Sequence, residues 1–471
     1  MFKTYNQQQE SLIPTSIKEF LWKSHEAVLL NDVVDNLDLS ELLKTYKNAN
    51  GGTTAFHPKM LLKIIFYGYM NQTFSSRWIA KKLHSDLGYM YLAANNKPDF
   101  RTINRFRWER LFAVKDIFRQ IVLMLKDLWV VWFWTVSLDG TKIYANASKE
   151  NNYTEDWLDK MIEKLLKEAQ ELDEKEDEEL WDKQDNIPEE LADPEIRKQK
   201  IKDALEKIKN MKKFVVKEIV EKEKEGIKQE KINTTDKDSR LMQMKHKDFA
   251  NWYNMQIITE NQIVLTTSIS NNACDVQELV PTLKKLKNEY NKIPEKLLAD
   301  AWYSSWDNYE YLEKDDIKWY IPSYNDSPDL SKYKYNEEND IYKDKDGNIY
   351  VLKQYVGLIW RWRAKKWEKL KEWEYKSKLY RTTLPNWSKK FLYIDERWCK
   401  YDKIFRERIG SKEWKNILSK RKIDVETVFA NIKHNLKFSR FSLRWFNKAS
   451  IERDIVCIAH NFKKMFCLYL I

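Results

Sequence analysis

Glycine is scarce in this chain. It supplies 9 of 471 residues, about 2% where ~7% is ordinary. No GxxxxGK[ST] phosphate loop and no GxSxG nucleophile turn is present, and HExxH is missing too. Those absences argue against P-loop nucleotide hydrolysis, serine-hydrolase chemistry and zincin proteolysis. Cysteine is also sparse. Cys274, Cys399, Cys457 and Cys467 form no CxxC pair, so neither a disulfide frame nor a zinc site is expected, and reduced thiols point to the cytoplasm. No apolar run approaches a membrane span and the first residues, MFKTYNQQQE, are polar, so neither secretion nor membrane insertion is expected. The six histidines are scattered. His434 reads as a surface residue and His460 as a structural one.

What the chain has in excess is tryptophan and positive charge. Tryptophan numbers 20, and tryptophan and glycine together make up about the share that glycine alone usually holds. Trp302 in ADAWYSS and Trp134 before TVSLDG stand where glycine would be natural. The expectation is that UGA codons mean glycine for this gene and are rendered here as tryptophan. A tryptophan mass at 302 in the native protein would overturn it. Lysine and arginine outnumber acids 83 to 72, giving +11 and a pI near 9.0, which favours an anionic partner, foremost nucleic acid.

Several stretches carry structural signals. Pro58 opens an apolar helix, KMLLKIIFYGYM. Ser75 and Ser76 precede RWIAKKL, and Asp99 or Thr102 can cap RTINRFRWERLF. That last helix bears Arg101, Asn104, Arg105 and Arg107, and the helix-turn-helix-like order suits a DNA reader. After an apolar-striped helix over 113–128 comes TVSLDGTKIYANASK (135–149). There Val136 and Leu138 alternate with Ser137 and Asp139, as in a half-buried strand ending at a turn, Asp139-Gly140. Residues 155–232 are dense in Glu and Lys with apolar stripes, and read as an inserted helical hairpin broken at Pro188 and Pro194. YNMQIIT and IVLTTSI form a hairpin around 260–262. A helix over 275–290, a short strand ending at Asp300, a helix near 307–312 and the strand IKWYIP come next. This order fits an α/β, ribonuclease-H-like sheet.

The expected organisation is an all-helical DNA-binding domain over 1–128, the first core strand in 129–150, and a charged hairpin insertion over 151–234. The core continues over 235–322, and a second insertion, with DKDGN as a hairpin turn, spans 323–414. A catalytic helix over 415–440 and a C-terminal helix over 441–471 complete the chain. Asp139 and Asp300 would end adjacent strands. Glu426 would come from the helix RKIDVETVFANIKHNLK, with Asp424 a competing third acid. Three such carboxylates stay ionised only beside cations, and hard oxygen donors suit Mg²⁺ or Mn²⁺. Two such ions can activate a water or a 3′-hydroxyl at a phosphodiester. Lys433, two helical turns from Glu426, and Arg421 would hold the adjacent phosphate.

At these stretches the chain resembles the DDE transposases of bacterial insertion sequences. FHPKMLLKIIFYGY, SSRWIAKKL and INRFR resemble that family's helical DNA-binding region. TVSLDGTKIYANASK and LLADAWYSS resemble the blocks around its two catalytic aspartates, and KRKIDVETVFANIKHN with RFSLRW the block around its glutamate. The resemblance implies Mg²⁺-dependent cleavage at terminal inverted repeats and joining of 3′ ends to target DNA. It assigns Asp139, Asp300 and Glu426 as metal-binding catalytic acids. Double-stranded DNA is the implied partner, and a homo-oligomer is implied by the need to join two ends. One branch carries Tyr-x2-Arg-x3-Glu-x6-Lys. Lys433 fits it, but Ser419 holds the Tyr place and Lys422 the Arg place, with Arg421 one residue early. Related blocks have glycine where this chain has Trp134, Trp252, Trp302 and Trp445, and the pattern extends to Trp129 and Trp414. The family's cysteine cluster is missing, so no zinc is expected. The runner-up readings are an inactive transposase-derived DNA-binding protein and a metal nuclease that cuts without joining.

Overall fold

The computed structural model describes residues 16–44, 46, 55–178, 194–224, 229, 231–243, 249–322, 332–356, 377–384, 388–394, 401 and 411–469. Pro188 and Cys399 lie outside them, as do stretches of both expected insertions.

The N-terminal region is helical: α1 (Glu26–Asp35), α2 (Ser40–Lys44), α3 (Pro58–Met70), α4 (Ser76–Lys82), α5 (Leu87–Leu92), α6 (Phe100–Arg105) and α7 (Val114–Asp127). Pro58 sits in the first turn of α3, whose N-cap is the His57 ring accepting from Lys59 N–H. Asp99, not Thr102, caps α6 through Thr102 N–H at 2.7 Å. Ser75 occupies the cap position of α4, but its side chain makes no capping bond.

Helix α3 is buried almost all round because it packs between the other N-terminal helices and the C-terminal helix, Phe446–Tyr469. The expected boundary near 128 is therefore continuous in packing. N-terminal side chains such as Ile64 and Phe66 share one core with Leu138 of the sheet and Phe462 of the last helix. Polar bonds cross the same junction: Tyr69 donates to Glu452 Oε1 at 2.8 Å.

The central sheet comprises β1 (Thr135–Tyr144), β4 (Arg240–Gln243), β5 (Phe249–Glu260), β6 (Ile263–Ser270), β7 (Lys296–Leu298) and β8 (Lys318–Tyr320). Between β1 and β4, a small ribbon pairs β2 (Asn152–Tyr153) with β3 (Ile232–Asn233). The sheet order is β4-β5-β1-β7-β8, with β6 also on β5. Strands β4, β5, β6 and β1 pair antiparallel, while β7 and β8 continue from β1 in parallel. The buried Glu260 carboxylate accepts the N–H groups of Trp132, Phe133, Trp134 and Thr135 at 2.6–3.3 Å, which fixes the chain's entry into β1.

The expected end of the first strand at Asp139-Gly140 is corrected. Strand β1 runs on to Tyr144, because β5 keeps pairing as far as Tyr144↔Trp252. The helix expected to start at 275 begins as a tight turn, Asp275–Gln277, before α10 (Leu279–Tyr290), and α11 spans Trp306–Lys314.

The charged insertion is a helical hairpin, α8 (Glu155–Glu178) and α9 (Pro194–Lys224), with Pro194 opening α9. It has its own small core of Leu158, Ile208 and Val215, closed by Ile232 of β3. The described part of the second insertion is an antiparallel meander of β9 (Tyr333–Asn336), β10 (Ile341–Asp344), β11 (Ile349–Val356), β12 (Ser377–Thr383) and β13 (Lys389–Ile394). DKDGN turns β10 into β11, with Gly347 at φ +87°. Among the described residues no helix is long and apolar enough to cross a membrane.

Candidate active site

Asp139 and Asp300 reach the same place by the same offset. The last rung between the parallel strands β1 and β7 pairs Ser137 with Leu298. Each aspartate stands two residues beyond its half of that rung, on the face its rung partner uses. Over this end of the sheet lies a continuous helix from 412 to 435. Its turns at Lys422–Glu426 and Asn431–Asn435 are wide, π-type turns. Arg421 Nη1 bonds Asp139 Oδ2 at 3.2 Å, and Nη2 bonds Glu426 Oε1 at 3.0 Å. One guanidinium thus joins the strand acid to the helix acid. Lys433 reaches the same strand face, donating to Thr141 Oγ1 at 2.5 Å.

Burial dominates the electrostatics. It pushes the Asp139 carboxyl up to about 6, against the pull of Arg421 and with Asp300 adding to the rise. Burial also raises Asp300, where the Trp302 N–H and Arg421 oppose it and Asp275 and Glu426 add to it. Burial lowers Lys433, with Asp139 opposing. The carboxyl groups of Asp139, Asp300 and Glu426 share this end of the sheet with the cations of Arg421 and Lys433. That donor set, carboxylate oxygens in partly desolvated surroundings, fits a hard divalent cation. Among the described residues no three acid, histidine or cysteine groups stand close enough together to hold a metal ion. In this arrangement Arg421 lies between Asp139 and Glu426.

Two family matches bracket this geometry. Residues 15–109 match a transposase domain (DUF772), and residues 385–466 match a transposase DDE domain. The second match contains Glu426 and Lys433. Together the two matches support an insertion-sequence DDE transposase. Asp139 and Asp300 fall in the stretch between the two matches, which cover neither residue. No curated protein matches the chain.

The transposase structure sorts the remaining expected residues. Asp424 faces the β5–β6 hairpin, where Oδ1 accepts Gln262 N–H at 2.6 Å and Oδ2 accepts from Thr259 at 3.2 Å. It pins the site helix to the sheet and stands apart from the Arg421 bridge. Arg107 is corrected as a DNA contact. It is buried, with Nη1 donating to the Phe74 carbonyl at 2.6 Å and to Tyr69 Oη at 3.2 Å, and Nη2 to Asn104 at 3.3 Å. Arg107 lies past the end of α6, in the wide turn Phe106–Arg110 where Phe106 and Arg107 face inward, while Arg101 and Arg105 stay exposed and Asn104 half-buried.

Arg421 stands five residues before Glu426, and the wide turn at Lys422–Glu426 brings both side chains to one side. His460 is structural. Buried and lowered to about 4 by burial, it bonds the Gln262 carbonyl at 2.8 Å. Missed in the sequence were Asn254, Gln256 and Tyr303, all buried, and half-buried Asp275, which form a network behind Gly140. The one signal available was glycine directly after a candidate acid, and it reads equally well as a turn.

Proposed function

We propose that this transposase cuts phosphodiesters at the terminal inverted repeats of its element and joins the freed 3′ ends to target DNA. The observation that carries the reading is the matched offset of Asp139 and Asp300 beyond the Ser137–Leu298 rung, with Glu426 linked to Asp139 through Arg421. The sheet order β6-β5-β1-β7-β8, antiparallel then parallel, supports a ribonuclease-H-like core with the hairpin and the meander as insertions. Asp139, Asp300 and Glu426 are the residues that would hold Mg²⁺ or Mn²⁺. When bound, such ions supply Lewis acidity at the phosphodiester and lower the pKa of the attacking water or 3′-hydroxyl.

Arg421 neutralises the acid pair and, released from it, presents a planar fork suited to a phosphate. That role supports placing it as the arginine of the Tyr-Arg-Glu-Lys type branch. Lys433 holds a second positive charge along β1 for the neighbouring phosphate. Arg101 and Arg105, with Asn104 beside them, offer α6 to the duplex end. Joining two ends requires two protomers on DNA.

The test is cleavage of a labelled duplex carrying the element's own flanking end, with Mg²⁺, comparing the chain with Asp139→Ala. Cutting that is lost in the variant and in EDTA is the expected result, and transfer of the 3′ end to a second duplex separates transposition from simple nuclease action. Cutting that survives Asp139→Ala would sink the assignment. DNA binding without cutting would favour a DNA-binding remnant.

A further inference from the structure

We propose that Gln256 is a positioning residue of the acid site, the amide that locks the Asp300 turn to β5, the strand paired with the one carrying Asp139. The inference rests on the reading of those two aspartates as cation-holding residues. Backbone pairing stops just short of Asp300, with the Ala299 N–H bond to the Tyr320 carbonyl at 3.3 Å. Beyond Asp300 the chain makes a single tight turn, Ala301–Tyr303. Tyr303 ends that turn, fully buried, and its hydroxyl donates to Gln256 Oε1.

Gln256 is itself fully buried on β5, opposite Gly140 of β1. Its Nε2 donates to Asp275 Oδ1 at 2.7 Å and to Asn254 Oδ1 at 3.2 Å. Asn254 Nδ2 also donates to Asp275 Oδ1, at 2.7 Å. The Asp275 carboxylate accepts only, so it decides which way the Gln256 amide points, and the Tyr303 hydroxyl must then donate to the oxygen. Asn308 Nδ2 ties the same pieces by their backbones, bonding the carbonyls of Tyr303 and Val276 at 2.8 Å each.

The clamp also explains Gly140. Strand alternation puts Gly140 on the face opposite Asp139. A Cβ there would stand 2.2 Å from Gln256 Nε2 and 2.8 Å from Asp275 Oδ1. Glycine comes directly after the acid because the clamp lies against the backbone at that point. The spacing of Asp139 and Asp300 is thereby set from behind the strand, by groups on the face opposite Asp139.

The test uses the full chain and two readouts: single-turnover cleavage with DNA affinity, and Mn²⁺ affinity of the DNA-free protein by electron paramagnetic resonance. Gln256→Glu sets two carboxylates against each other. It is expected to lower kcat on the order of tenfold to a hundredfold, the scale of a small misplacement of reacting groups, with DNA Kd unchanged and Mn²⁺ bound more weakly. Adding Asp275→Asn restores a donor–acceptor pair, and both readouts are expected to return to within about threefold, since one hydrogen bond is at stake. Tyr303→Phe, which removes only the hydroxyl, is expected to show the same kcat-without-Kd pattern more weakly. Gln256→Glu at the wild-type rate and Mn²⁺ affinity would overturn the clamp, as would a double variant no better than the single. A wild-type chain that neither cuts nor binds Mn²⁺ would instead overturn the reading of the acids themselves.

A different observation supports a second inference. We infer that Trp129, Trp302 and Trp445 stand where the native protein has glycine. Trp129 lies at φ +60° and Trp445 at φ +71°, the left-handed region that glycine enters without steric cost. Trp302 projects, 61% exposed, from the turn that Asp300 opens. Trp252 is buried and stacked on Tyr144, and its indole N–H has no hydrogen-bond partner among the described residues. Trp414, packed against Trp319 and Tyr320, shows no such mark. Peptide mass spectrometry of the protein from its own cells is expected to give glycine at 129, 302 and 445. A tryptophan mass at those positions would overturn the inference.

Discussion

The central sheet and the α8–α9 hairpin differ in what holds them. The hairpin's core is local: Leu158 on one helix meets Ile208 and Val215 on the next, with Ile232 at the base. Its surface is laced with exposed pairs such as Lys212 with Asp159 at 2.5 Å. The sheet has almost no such autonomy. The helices covering it come from both ends of the chain, and its site helix starts at residue 412, far from the Asp139 strand. The position of each acid is therefore a property of the whole fold, whereas the hairpin's shape is a property of its own sequence. Changes in the two regions should separate function from local stability.

The largest separation is expected in catalysis. Asp300→Ala or Glu426→Ala should lower cleavage on the order of a thousandfold or more, as removal of a central catalytic group does. Leu158→Ala should leave the rate near that of the unaltered chain, and an equal loss there would erase the distinction between the regions. Stability comes next. Leu138, fully buried in β1, should cost about 2–5 kcal/mol when truncated to alanine, read as a lower urea midpoint for the whole chain. Leu158→Ala should instead speed hydrogen exchange in α8 and α9 while the β1 amides stay protected.

A smaller effect is expected at Asp139. Its carboxyl is raised from 3.8 to about 6, so between those pH values the folded protein keeps a proton that the unfolded chain has released. Stability therefore falls as pH rises through that window and stays reduced above it. Asp139→Asn removes the penalty. It should stabilise the cation-free protein at pH 7 by about 1–2 kcal/mol, after allowing for the lost Arg421 pair, with the gain vanishing near pH 4. A variant that is less stable at pH 7 would contradict the burial argument. The smallest effect belongs to the hairpin surface: Lys212→Ala should leave Tm unchanged, because its partners are solvated.

The elements that were legible have local causes. Val136 and Leu138 alternate and lie inside a strand. Pro58 opens a helix, and DKDGN turns a hairpin. Less legible were features set by partners. Gly140 next to Asp139 looked like a turn, and only the opposing β5 shows that the strand continues. Arg107 belonged to a basic helix by composition, but the wide turn after α6 carries it inward to the Phe74 carbonyl. Arg421, five residues before Glu426, comes beside it through the wide turn between them.

The sequence by itself determined the charge balance, the helical N-terminal region, the strand and helix stretches that carry the acids, and the resemblance to DDE transposases. These depend on residue type and near-neighbour spacing. Only the tertiary structure decided that Asp139 and Asp300 share one offset beyond a common rung, that a single guanidinium joins Asp139 to Glu426, and that Gln256 sits behind Gly140. Each of those facts depends on strand register, helix winding or burial, and these arise when segments hundreds of residues apart pack into one core.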